Sequence, residues 1–176
     1  MIKKILWVVG AAVIIFAAIV IYQIATTKKH SPAATAELKT ENYNIKVDYC
    51  RPYKKGREIF GELLPYDTYW RTGANEPTII TFSNDFTFGA NIIRAGSYRI
   101  YTIPRESEWD VVLNSETEKW GYWEPDYTLD IAKVTVPVQK ADSCTEQFLI
   151  ELTSNDSGVE LAMVWDFTKV VVPIKI

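Results

Sequence analysis

Two hydrophobic patterns divide the chain. From Ile5 to Thr27 there are 23 consecutive residues without a charge, almost wholly apolar as far as Tyr22. A helix of that length reaches across a hydrocarbon core of about 30 Å. Residues 1–27 therefore predict a single N-terminal transmembrane anchor, with residues 5–27 as the membrane contact. A cleaved export signal is the alternative, but it needs a shorter apolar stretch and a nearby small-x-small site. Ala34-Thr35-Ala36 has that form and lies well past the apolar run. The positive-inside comparison is nearly tied, with Lys3 and Lys4 facing Lys28 and Lys29. A short N-terminal tail stays inside easily, which places the chain in the cytoplasmic (inner) membrane with its domain on the periplasmic side. Residues 28–34 read as a short stalk.

Beyond the stalk, residues 35–176 carry a strand pattern. Ile45, Val47 and Tyr49 alternate with Lys46 and Asp48, the period of two of a half-buried strand. Thr78 to Phe82 is a β-branched run, and Ser83-Asn84-Asp85 turns the chain into Phe86 to Ile93. Further strands are predicted over 97–103, 108–113, 129–138, 145–153, 159–165 and 168–174. Ser154-Asn155-Asp156-Ser157-Gly158 is a strong turn signal between two of them. Many short strands without an amphipathic helix predict an all-β fold, an antiparallel β-sandwich or jelly-roll-like domain. The excursion 51–70 breaks the rhythm. Ile59, Phe60, Leu63 and Leu64 are spaced like a helical turn or two folded over one end of the sandwich.

Charge then narrows the chemistry. Residues 31–176 hold 15 of the 19 Lys and Arg but all 22 acidic residues, a formal charge of −7. That sign argues against nucleic acid as a partner, since such binding neutralises phosphates. The single histidine, His30, lies in the stalk, so the domain has no His-based triad or acid–base catalysis. Two cysteines, Cys50 and Cys144, are too few for a Cys-rich zinc site. No metal and no cofactor are expected, and no catalytic residue stands out. In an exported domain the two cysteines either form a disulfide across a long loop or remain two lone thiols.

Three constellations remain. "CRPYKKGREIFG" gathers Arg51, Lys54, Lys55 and Arg57, and "WRTGANEPT" follows with Arg71, Asn75 and Glu76. Guanidinium forks and turn N–H groups suit a carboxylate, sulfate or phosphate, which makes Arg57, Arg71, Asn75 and Glu76 the candidate ligand-binding residues. Against that stands a structural corner, in which Arg71 and Glu76 pair across the Gly73-Ala74-Asn75 turn and Trp70 packs beneath. This corner reading leads. "KWGYWEPDY", residues 119–127, crowds aromatics onto a Gly- and Pro-containing loop, a possible surface platform. The acidic run from Glu106 to Asp126 reads as a solvated edge, although two of its carboxylates in a cleft would suit glycan hydrolysis.

Several motifs occur together in order: "SP" at 31–32, "DYCRPYKKGREIFGELLP" at 48–65, "WRTGANEPT" at 70–78, "AGSYRIYTIP" at 95–104 and "WDVVLN" at 109–114. This set closely resembles the bacterial family DUF2911 over essentially the whole domain. The resemblance implies an all-β, exported or envelope-associated domain and implies no activity. The expected function is a membrane-anchored envelope domain that binds a small anionic ligand or an envelope partner without chemistry. A carboxylate-dependent hydrolase and a purely structural envelope protein are the alternatives.

Overall fold

The structure, a computed structural model, describes residues 2–176; the side chains of residues 2–6, 8, 9, 11, 12, 23–25 and 27 lie outside what is described. Helix α1 runs from Ile2 to His30. Among the described residues no helix is long and apolar enough to cross a membrane. Part of the uncharged segment falls on side chains outside that set, so the anchor expected from the sequence is not a finding of the structure.

The rest is mostly antiparallel β-sheet, arranged as two sheets. The strands are β1 (Ala33–Lys39), β2 (Asn44–Cys50), β3 (Thr78–Phe82), β4 (Phe86–Phe88), β5 (Asn91–Ile93), β6 (Gly96–Pro104), β7 (Glu108–Asn114), β8 (Asp130–Pro137), β9 (Gln139–Asn155) and β10 (Gly158–Lys175). One sheet has the order β1-β2-β3-β6-β7-β8, the other β5-β4-β10-β9. The period-two reading of β2 holds residue by residue, with Ile45, Val47 and Tyr49 buried. From the first sheet Ile80, Ile100, Trp109, Val111 and Leu113 meet Phe86, Phe148, Ile150, Leu161, Met163 and Trp165 of the second, one contiguous core.

The differences from the sequence expectation are local. β1 pairs with β2 from Ala33 onward, within the expected stalk and next to it. The run from Phe86 to Ile93 breaks into a hairpin at Gly89, whose φ is 62°. The two strands expected over 159–165 and 168–174 are one, β10, which passes through a bulge at Asp166 with φ 56°. The 59–64 segment is not helical. Leu64 N–H bonds Ile59 C=O at 2.8 Å and Gly61 N–H bonds Leu64 C=O at 2.9 Å, which closes a tight turn instead. Gly61 at its centre has φ 96°, a left-handed conformation that ends any helical turn there.

That turn lowers Phe60 into an aromatic cluster that closes one end of the sandwich. Phe60 lies 4.9 Å from Trp109 between ring centroids, and Trp70 lies 5.0 Å from Phe148 and 5.9 Å from Trp165. Rings at such separations add roughly 0.5–1.5 kcal/mol per pair beyond their burial. Trp109 and Trp165, inside strands, are core, and Trp70 packs beneath the excursion as the corner reading expected.

Candidate functional site

The corner 70–78 is built from backbone that few side chains tolerate. Trp70 exchanges two backbone hydrogen bonds with Thr102 (2.8 and 2.9 Å), and its indole N–H donates to Gly73 C=O at 3.1 Å. Thr72 has φ 55° although it is β-branched, and Asn75 has φ 58°. Gly73 sits at φ 151°, where a Cβ would come within 2.9 Å of the Cys50 carbonyl oxygen. Buried hydroxyls hold the strained path: Thr72 Oγ1 meets Thr102 Oγ1 at 3.1 Å, and Thr78 Oγ1 donates to Thr72 C=O at 2.7 Å. Strain of this kind persists only where surroundings over-determine it, and it clusters at functional sites.

The basic segment is brought to the same place. Arg51 Nε donates to Phe148 C=O at 2.9 Å, and Lys54 N–H to Glu146 C=O at 2.7 Å, which fastens the segment to β9. Lys55 and Gly56 then turn through left-handed φ of 52° and 68°. Arg57 folds back on its own loop, donating from Nε to Lys54 C=O at 2.9 Å and from Nη2 to Tyr53 C=O at 2.5 Å. The end of α1 rests on the assembly: Asn75 Nδ2 donates to Ser31 C=O at 3.3 Å, and Lys55 Nζ lies 3.3 Å from His30 Nδ1.

These pieces surround a cavity of about 430 Å³. Its lining includes Trp70, Trp165 and Leu64, the cations Lys55, Arg57 and Arg71, and the imidazole of His30, with no carboxylate among the described lining residues. Arg57, Arg71 and Asn75 are thus brought together as the sequence suggested. Glu76 is not in this set. It points into a neighbouring cleft lined also by Asp48 and Cys50, where Lys28 Nζ bonds it at 2.8 Å and the Cys50 thiol donates to it at 3.2 Å. Burial opposes ionisation of Glu76, but the hydrogen bond from Lys28 and those from its own backbone and Cys50 outweigh it, holding its pKa below the usual range.

The expected Arg71–Glu76 pair therefore does not form, because α1 supplies a nearer cation. Among the described residues Arg71 has no ion pair; its guanidinium faces the Tyr122 ring at 5.6 Å. Burial pulls its pKa down from the ordinary arginine value, Tyr69 and Tyr122 work in the opposite direction, and nearby Arg99 adds to the lowering. A half-buried cation with no counter-charge is chemically suited to receive an anion.

Cys50 is buried, Cys144 is exposed, and both are free thiols. Cys144 donates to Asp166 at 3.3 Å, and that carboxylate also holds Lys54 at 2.5 Å. The acidic run is spread over structural bonds. Asp110 is bonded by Arg105 at 2.9 Å and by Thr135 at 2.7 Å, Glu116 accepts from Asp126 N–H at 2.9 Å, and Asp126 caps the short 3₁₀ turn Tyr127–Leu129. Among the described residues, no three His, Cys, Asp or Glu side chains are gathered to hold a metal ion.

One residue of the site region has no counterpart in the sequence expectation. Arg99 on β6 is fully buried. It donates to Lys119 C=O at 3.3 Å, Gly121 C=O at 3.4 Å and Trp123 C=O at 2.8 Å, and to the Tyr69 hydroxyl, while its Nε has no partner. A charged residue inside the apolar strand run 97–103 was the available signal.

Residues 31–174 match the family model described as Protein of unknown function (DUF2911). No curated protein and no solved structure matches the chain.

Proposed function

Because the chain belongs to the DUF2911 family, whose description names no activity, we propose a function from the site itself: a membrane-tethered envelope domain that binds a small anion in the basic cavity at the foot of α1, without chemistry. The observation that carries this reading is Arg71, half-buried and without an ion pair among the described residues, in a cavity whose described ionised lining residues, Lys55, Arg57 and Arg71, are all cations. An anion seated there offsets the cost of burying the guanidinium, and a planar fork suits a carboxylate or phosphate. Trp70 and Trp165 in the lining favour a ligand with an apolar face.

The anchor belongs to the same proposal. The 29-residue α1 and the uncharged sequence 5–27 support it. A reporter fused after Ile176 is expected to be active on the periplasmic side only; activity in the cytoplasm alone overturns that topology. For the cavity, the full chain in zwitterionic nanodiscs is titrated calorimetrically with inorganic phosphate, pyrophosphate and citrate. Saturable binding of at least one is expected, weakened about tenfold or more by Arg71→Ala, as befits a lost charge-assisted bond. Absence of saturable binding by all three sinks the reading.

A further inference from the structure

The loop 119–127 exposes three large aromatics: Trp120 at 48%, Tyr122 at 62% and Trp123 at 59% of their surface. It is not a loose tip. A fully buried guanidinium, Arg99, takes the carbonyls of Lys119, Gly121 and Trp123, and the Tyr69 hydroxyl donates to Gly121 C=O at 2.9 Å. With its carbonyls drawn inward, the loop holds its rings outward. Burying an arginine among neutral acceptors is costly, and here the visible result is a fixed display of aromatic side chains.

Its position relative to α1 is set by three contacts. A Cβ at Gly121 would lie 2.7 Å from the Asn75 carbonyl oxygen, so the loop backbone presses directly on the corner. Tyr122 covers Arg71, and Arg71 lines the cavity that His30 and Ser31 also line. On the other side of the same corner, Glu76 holds Lys28 in the last turn of the helix. The aromatic loop and the end of the apolar helix are thus mounted on one short piece of backbone, residues 71–76.

We propose that Trp120, Tyr122 and Trp123 form a second membrane contact that dips into the interfacial layer of the bilayer beside α1 and sets the tilt of the domain on the membrane. The proposal rests on the anchored reading above. Trp and Tyr favour the headgroup level because their rings are apolar and their N–H or O–H stays wet. Glu118 and Glu124 flank the aromatics. The recognition is therefore by the apolar interface and not by anionic headgroups, and it persists in zwitterionic lipid at high salt.

The test uses the full chain in zwitterionic vesicles carrying a doxyl quencher high on the acyl chain. Trp7→Phe removes the tryptophan within the apolar helix, leaving Trp120 and Trp123 as the exposed indoles, with Trp70, Trp109 and Trp165 buried. The Trp7→Phe chain is expected to co-float with vesicles and to be quenched, with quenching unchanged by salt. Adding Trp120→Phe and Trp123→Phe, which preserve bulk and fold, is expected to cut the quenching at least about twofold. Co-flotation with no quenching, or quenching that survives the two substitutions, overturns the docking and leaves the anchor standing. Failure to co-float overturns both. A blue-shifted emission with soluble oligosaccharide in place of quenching overturns docking in favour of a glycan platform.

Discussion

Arg105 and Arg71 occupy opposite situations in one small domain. Arg105, on the outward side of the larger sheet, is bonded by Asp67 at 2.8 Å and Asp110 at 2.9 Å, with Glu108 at 3.9 Å. Lys133 completes the group at 3.5 Å from Asp110. Arg71, at the foot of the helix, faces the Tyr122 ring and has no ion pair among the described residues. Charge in the first region is closed on itself, so it fixes the strands β7 and β8 to the 65–70 segment. In the second it is left open, and the strained corner beneath it holds the guanidinium in place without neutralising it. The number of basic residues would not have separated the two; what separates them is where the carboxylates went.

The comparison is broken most severely at Asp110. Asp110→Ala removes a buried acceptor shared by Arg105, Thr135 and Lys133 and is expected to cost about 2 kcal/mol, measured by unfolding of the detergent-solubilised chain. A loss no larger than that of an ordinary surface change would show that the closed cluster is ornamental. Acid reads the same carboxylate. The Arg105 hydrogen bond, against the effect of burial, lowers the Asp110 pKa to about 2 from an ordinary value of 3.8. Since the folded pKa is the lower one, this stability is present above about pH 4 and is lost as pH falls towards 2, by at most about 2 kcal/mol. In Asp110→Asn that portion of the acid dependence is expected to vanish; an unchanged profile assigns it elsewhere.

Smaller effects are expected at the open end. Gly73→Ala forces a Cβ against the Cys50 carbonyl at a left-handed φ and is expected to cost about 1–2 kcal/mol, together with loss of anion affinity as the corner shifts. Loss of stability with intact affinity would separate the strain from the site. Arg71→Ala is the smallest for folding, within about 0.5 kcal/mol, because no ion pair is broken. A strongly destabilised Arg71→Ala, measured by the same unfolding, would mean that Arg71 is a structural pin and would erase the contrast with Arg105.

The same contrast marks what was legible in the sequence. Alternation found β2 because it buries one face and its period survives without knowledge of its neighbours, and β3 was legible as a β-branched run. β1 escaped because Ala33, Ala34 and Ala36 present no contrast of large apolar and polar side chains; β2 supplies the pairing. The Asp166 bulge is why one strand was predicted as two, since a lone left-handed residue inside a strand interrupts its local pattern. At the site, Arg57, Arg71 and Asn75 were legible as turn chemistry within two short segments. The placement of Glu76 in the neighbouring cleft was not legible, because its partner, Lys28, comes from a helix 48 positions earlier. Arg99 was missed because an arginine on the outward face of a strand reads as solvated until the covering loop is known.

Only Ser31 and Pro32 lie between the last residue of α1 and the first of β1, a reach of about 10 Å from His30 to Ala33 at full extension. If α1 is the anchor proposed above, the domain could not swing out to sample the surrounding compartment. Its search for a ligand would then be two-dimensional, carried by lateral diffusion of the anchor. A tether this short would act as an address: the concentration that matters would be the one at the membrane, not the one in bulk.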